Sequence, residues 1–191
     1  MIQLKFLANP KVREDLKLTE QQVKEADSLK GALQTAISEK LVLNGGGSVE
    51  DLQETYQGEC DELDKEFAPK LAAILSAGQV KRLGQIELQL SSPKLLLRED
   101  VAKTLKLTED QKEKIKAIWE EANDKMGQIA IDQGPSAGQP LQDGKPNPEM
   151  QKVIDFAKDR CLKLLDQTQH ETWKGMVGPE LLHTGTGSTL H

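Results

Sequence analysis

The chain has 191 residues and a formal net charge of −6, and only 37% of its residues are hydrophobic whereas 29% are charged. An acidic chain of this kind lacks the positive field that binds nucleic acid, and the same charge argues against attraction to an anionic membrane surface. Two cysteines are too few for a disulfide framework. Leu, Ala, Glu, Lys and Gln dominate the composition, which is typical of amphipathic helices with wide solvated faces and predicts an all-α fold.

The first half of the chain is predicted to contain two long helices followed by a shorter one. Apolar residues at three- and four-residue spacing predict a helix from about 20 to 42, and the run from Asn44 to Gly47 ends it. A second helix is predicted to begin after Ser48 and to reach Ile74, and a shorter helix follows Leu75. Nowhere is there a run of 18 apolar residues, so we expect no membrane insertion.

The second half is predicted to repeat this plan. A long helix carries apolar residues at helical spacing up to Ile129, and a Gly- and Pro-rich loop of undetermined role follows it in residues 132–148. Asn147 and Pro148 are typical of a helix start, with an N-cap residue followed by proline in the first turn. The last helix carries Trp173, and the end of the chain is rich in Gly, Thr and Ser.

The two halves share a repeated sequence motif. Residues Leu16–Gln22 return as Leu105–Gln111, shifted by 89 positions, and Leu75–Gln79 return more loosely as Leu165–Gln169, shifted by 90. Two copies of one unit must pack on each other or on a partner. We therefore predict two tandem helical-hairpin units packed as an intrachain pseudo-dimer, each with a long, a second long and a short helix. The predicted boundaries are residues 1–91 and 92–178 for the two units, and residues 179–191 for a flexible tail.

Each half opens and closes with a Leu-(Thr/Ser/Asp)-x-x-Gln segment, and we call these four segments the capping motifs. The side chain of the second residue can cap a helix by accepting a hydrogen bond from the backbone N–H of the glutamine. The glutamine side-chain oxygen in turn accepts a hydrogen bond from the backbone N–H of the capping residue. The motifs are therefore interpreted as structural caps. Their residues are Leu18, Thr19 and Gln22; Leu75, Ser76 and Gln79; Leu107, Thr108 and Gln111; and Leu165, Asp166 and Gln169.

With two such motifs separated by a helical hairpin in each half, the chain resembles the LTxxQ-motif family. This family includes the Spy and CpxP periplasmic stress proteins and the metal-responsive ZraP and CnrX proteins. In it one unit is a bent helical hairpin and two units pair as a homodimer, so this chain resembles two units joined head to tail. The resemblance implies a protein-binding role, chaperone-like or in envelope-stress regulation, with a protein client or regulatory partner.

Two other functions remain open at this stage. One is a metal-responsive sensor or metal-binding protein of the ZraP and CnrX type, and the other is a structural helical spacer. The first residues lack the apolar stretch of a secretion signal, so an exported location, periplasmic or other, requires a signal removed from this chain. A cytoplasmic location is the alternative. A homodimer of the whole chain is also open.

No catalytic residue, cofactor or metal site is predicted. The acidic run in residues 59–66 lacks the ligand pattern of a calcium loop and is expected to be a solvated helix face. Cys161 and His170 are poorly spaced for a soft metal. Since Cys161 lies on an apolar stripe, we expect a buried free thiol, and a disulfide with Cys60 is the alternative.

Aromatic and methionine side chains are the candidates for a partner-binding surface. An elongated hairpin pair cannot bury all of its apolar stripes within one thin layer. We therefore expect some of these side chains to line a groove between the two halves, with an ordinary core position as the alternative for each. The candidates are Tyr56, Phe67, Trp119, Met126 and Trp173.

Overall fold

The computed structural model describes residues 2–43, 62–63, 65–134 and 147–181. Within these ranges every regular element is a helix, which confirms the all-α prediction. None of the helices in the described ranges is long and apolar enough to cross a membrane. The Gly-rich segment after the first long helix, Tyr56, Cys60 and most of the Gly- and Pro-rich loop lie outside the described residues, as do residues 182–191.

The helices are numbered in chain order, and short and long helices occur in the same order in both halves. In the first half they are α1 (Ile2–Phe6), α2 (Pro10–Asp15), α3 (Glu20–Leu43), α4 (65–74) and α5 (Ala77–Leu90). A 3₁₀ helix (Pro93–Leu97) comes next, and the second half contains α6 (Glu99–Leu105), α7 (Glu109–Gln133), α8 (Pro148–Leu162) and α9 (Gln167–Val177). A short helix therefore precedes the long helix in both halves.

The chain divides into two compact units between Gln89 and Leu90. A second division falls between Met176 and Val177, so that the last residue of α9 and residues 178–181 after it belong to the first unit. The sequence predicted a division after residue 91 and a loose tail from residue 179. The three described residues of that segment, 179–181, are grouped with the first unit.

Buried positions recur with the spacing of the repeat. Val12 and Val101 are both 0% exposed, and Leu75 and Leu165 are both 6% exposed. The buried side chains of the first unit include Leu4, Leu7, Leu16, Ala26, Leu33, Phe67, Leu71, Leu83 and Ile86. Those of the second include Leu96, Leu105, Ile115, Ile118, Ala122, Ala157, Cys161 and Trp173.

A left-handed residue joins the short helix to the long helix in each unit. Lys17 has a φ of 49° and Lys106 a φ of 53°. After Lys106, the Leu107 N–H donates to the Ala102 carbonyl at 3.0 Å, and the equivalent bond of the first unit is 3.1 Å long. This is the Schellman arrangement, which satisfies the last carbonyls of the short helix. It places the next capping motif at the start of the long helix.

Candidate functional site

All four capping motifs form the reciprocal hydrogen bonds of a capping box. At the start of α3, the Gln22 N–H donates to Thr19 Oγ1 at 3.2 Å and the Thr19 N–H donates to Gln22 Oε1 at 3.1 Å. The other three boxes close with distances between 2.8 and 3.3 Å at Ser76 and Gln79, Thr108 and Gln111, and Asp166 and Gln169. Each box satisfies backbone donors that a helix start otherwise leaves unpaired.

The two motif glutamines of the first unit are also hydrogen-bonded to each other. Gln22 Nε2 donates to Gln79 Oε1 at 2.9 Å, and Gln79 Nε2 donates to Gln22 Oε1 at 3.2 Å. The same Nε2 atoms donate to the carbonyls of Ile74 and Leu16, at 2.9 and 3.0 Å. Each Oε1 also accepts its own cap amide, so two acceptor sites and two donors are in use on both side chains. We call this arrangement an amide latch.

The second unit contains the same latch. Gln111 Nε2 donates to Gln169 Oε1 at 2.8 Å, and Gln169 Nε2 donates back at 3.0 Å. The remaining N–H groups donate to the carbonyls of Leu164 and Lys106, at 2.8 and 3.4 Å. Since Gln169 is only 7% exposed, these bonds are shielded from water.

The latches explain the spacing of the motifs along the chain. The paired glutamines are 57 residues apart in the first unit and 58 in the second. Each latch therefore holds the start of the long helix beside the start of the last helix of its unit. The four glutamine amides therefore use all of their donors and two acceptor sites each within the two latches.

The candidate partner residues fall into two groups. Phe67 and Trp173 are buried, with 5% and 7% exposure, so they are core residues and do not present an apolar surface to a partner. Trp119 and Met126 on α7 are half-buried and keep part of their surface in water. Tyr56 lies outside the described residues.

Two exposed apolar side chains were missed by the sequence analysis. Phe156 on α8 is 58% exposed and Ile131 on α7 is 76% exposed. The candidate partner residues lie on the apolar stripes, whereas Phe156 adjoins the buried Ala157 and falls beside the stripe. A large apolar residue out of register with a helical stripe is itself the signal that would have identified both.

The Phe156 ring is bordered by charged side chains of both helices of its hairpin. Arg160 Cζ lies 5.8 Å from the ring centroid, and Lys125 Nζ lies 6.0 Å from it. Glu121 pairs with both cations and thereby connects α7 to α8. Hydrogen bonds from Lys125 and Arg160 lower the pKa of Glu121 to about 2. We call Phe156 with Lys125, Arg160 and Glu121 the Phe156 surface.

The described residues contain no group of three His, Cys, Asp or Glu side chains that could hold a metal ion. Cys161 carries a free thiol and is 0% exposed. Burial raises the pKa of this thiol to about 11. At the offset of 90 residues, Cys161 stands where the first unit has the buried Leu71, so its role is that of an apolar core residue.

Comparison with protein-family models, with curated proteins and with solved structures finds no match.

Proposed function

We propose that the chain is a non-enzymatic protein-binding module of the LTxxQ type, with a chaperone-like or envelope-stress regulatory role outside the cytoplasm. In this proposal its two hairpin units pack as an intrachain pseudo-dimer. Support comes from the four capping motifs and from the pairing of their glutamines within each unit. An amide latch fixes one end of a hairpin, so the outer faces of its long helices are available to contact a partner.

The observation that carries the proposal is the Phe156 surface. A phenyl ring that is 58% exposed gains free energy when a partner covers it, about 25 cal/mol for each Å² of apolar area removed from water. Lys125 and Arg160 already border the ring. The expected partner contributes apolar side chains from an unfolded or extended segment.

The proposal is tested by suppression of aggregation. A heat-unfolded client protein is followed by light scattering with the full chain, with Phe156→Ser and with Lys116→Gln, an exposed change on α7 outside this surface. We expect the full chain and Lys116→Gln to slow aggregation equally, and Phe156→Ser to lose at least about half of that effect, because a fully covered phenyl ring is worth up to about 3 kcal/mol. Equal suppression by all three proteins, or none by the full chain in excess over client, contradicts the proposal.

A further inference from the structure

The last residue of α9 and the segment after it are held on the first unit by one glutamine that contacts three of their backbone groups. Gln89 Nε2 donates to the carbonyls of Val177 and Pro179, both at 2.7 Å. Gln89 Oε1 accepts the Leu181 N–H at 2.9 Å. The first of these groups is the last carbonyl of α9 and the other two follow the left-handed Gly178, so one side-chain amide satisfies backbone groups on both sides of the helix end. We call residues 177–181 the C-terminal strap.

A second side chain of α5 fixes the same strap. Arg82 Nη1 donates to the Pro179 carbonyl at 2.8 Å. The other guanidinium nitrogens form a bidentate pair with Asp15 on α2, at 2.6 and 2.9 Å. The side chains of Arg82 and Asp15 are 16% and 9% exposed, so the planar group is pre-positioned before it meets the strap.

The strap has sequence requirements at two of its positions. Gly178 has a φ of +64°, and a Cβ at this position would lie 2.6 Å from the end of the Gln85 side chain. A residue with a side chain is therefore strained here, and a β-branched residue most of all. Leu181 is 5% exposed, which identifies it as the apolar anchor. Glu180 is exposed.

We propose that the α5 face formed by Arg82, Gln85 and Gln89 is a binding site for a peptide segment of the form Gly-x-x-Leu with a left-handed turn at its glycine, filled in this chain by its own strap. Backbone groups supply most of the recognition, glycine supplies the left-handed turn and leucine supplies the buried anchor. The strap is then an intramolecular ligand, favoured over a free segment by its high effective concentration. This site is independent of the Phe156 surface.

The test uses the full chain and NMR signals of the groups that make the contact. Gly178→Val weakens the strap without replacing any residue of the α5 face. Gly175→Val is the matched control, because Gly175 lies in α9, where an added Cβ meets nothing within 4 Å. Amide exchange of Leu181 and the side-chain amide signals of Gln89 report on the strap. The Gln111 side-chain signals, from the latch of the second unit, serve as the internal reference.

We expect Leu181 amide exchange to be at least about tenfold faster in Gly178→Val than in the unsubstituted chain, since the hydrogen bonds that protect it weaken together. Gly175→Val should exchange as the unsubstituted chain does. A blocked peptide of residues 176–181 at millimolar concentration should return the Gln89 signals of Gly178→Val toward their original positions. The same peptide carrying valine for glycine should leave the Gln89 signals where they are.

Three results would overturn the proposal. The first is unchanged Leu181 exchange in Gly178→Val, which would mean that the strap contributes no protection. The second is a failure of the peptide to move the Gln89 signals at any concentration up to several millimolar. The third is displacement of the Gln111 signals together with those of Gln89, which would show general destabilisation of the chain in place of strap release.

Discussion

Gln22 and Gln79 are 57 residues apart in the chain, yet their side chains exchange two hydrogen bonds, of 2.9 and 3.2 Å. Each amide also completes the capping box of its own helix. Neither motif therefore reaches its full set of bonds without the other. Glutamine suits this position because its amide supplies an acceptor to its own helix start and two donors to the partner motif and a backbone carbonyl at the same time.

Replacing a latch glutamine with glutamate should destabilise the chain beyond the loss of a cap. In Gln22→Glu the side-chain oxygens can still accept the Thr19 amide, but the donors to Gln79 and to the Ile74 carbonyl are gone. Leaving such groups unpaired costs about 1–3 kcal/mol each, so we expect a decrease of that order in the free energy of unfolding. Chemical denaturation followed by circular dichroism measures it.

The matched control for this change is Gln34→Glu, which makes the same substitution at an exposed position of α3. Its unfolding free energy should stay within about 0.5 kcal/mol of the unsubstituted chain. The double variant Gln22→Glu, Gln79→Glu should lose more than the sum of the single losses, because each single variant keeps one amide donor between the two side chains whereas the double variant places two carboxylates against each other. Additive losses would show that the two glutamines act independently.

Glycine at a left-handed position should stabilise the second unit. Lys106 has a φ of 53°, where a residue with a Cβ is strained and glycine is not. We expect Lys106→Gly to raise the free energy of unfolding by about 0.5–1 kcal/mol. Lys103→Gly, at an exposed position within α6, should lower it by about 1 kcal/mol. A thermal melt in which both variants lose stability would contradict the Schellman arrangement.

The Glu121 ion pairs should give the α7–α8 hairpin a stability that depends on acid pH. The pKa of Glu121 falls from 4.5 to about 2 in the folded chain, through hydrogen bonds from Lys125 and Arg160. The contribution is therefore present above pH 4.5 and is lost as the pH falls toward 2. An NMR titration of the Glu121 carboxylate should show the low midpoint, and Arg160→Gln should raise it. A midpoint near 4.5 in the unsubstituted chain would show that these pairs do not form.

Zinc, copper and calcium should not bind tightly. Within the described residues no three potential ligands are close enough to surround an ion, and the Cys161 thiol is buried with a pKa raised to about 11. A thiol must lose its proton to bind zinc or copper, which this pKa opposes. Titration calorimetry should show no stoichiometric binding below about micromolar concentration, since soft-metal affinity requires such thiolate or imidazole ligands. Tight binding would favour the metal-responsive alternative.

The helix starts could be predicted because capping depends on neighbours in the sequence. Thr108 and Gln111 are three residues apart, so their box follows from local geometry. The bond from Gln111 to Gln169 is different, because the repeat indicates that both motifs matter but not that their side chains meet. That contact depends on how α7 and α9 are brought together by the packing of the whole unit.

Burial and the C-terminal strap were harder to predict for related reasons. Trp119 and Trp173 both lie at apolar helix positions, yet Trp119 is half-buried and Trp173 is buried. This difference in exposure depends on which neighbouring helices cover each side chain. Gly178 and Pro179 are typical of a helix end followed by a loose tail. Their contact with Gln89 has no periodic pattern, since a side-chain amide recognises backbone groups that every residue has.

Site-specific photo-crosslinking at position 156 tests the protein-binding proposal most directly. A photoreactive phenylalanine replaces Phe156 in one protein and Lys116 in the other, and each is irradiated with an unfolding client. Because the partner is expected to cover the Phe156 surface, position 156 should give a client adduct several-fold more abundant than position 116. A residue at the centre of an interface contacts its partner more closely than a residue outside it. Equal or absent adducts at the two positions would contradict the proposal that this surface binds protein.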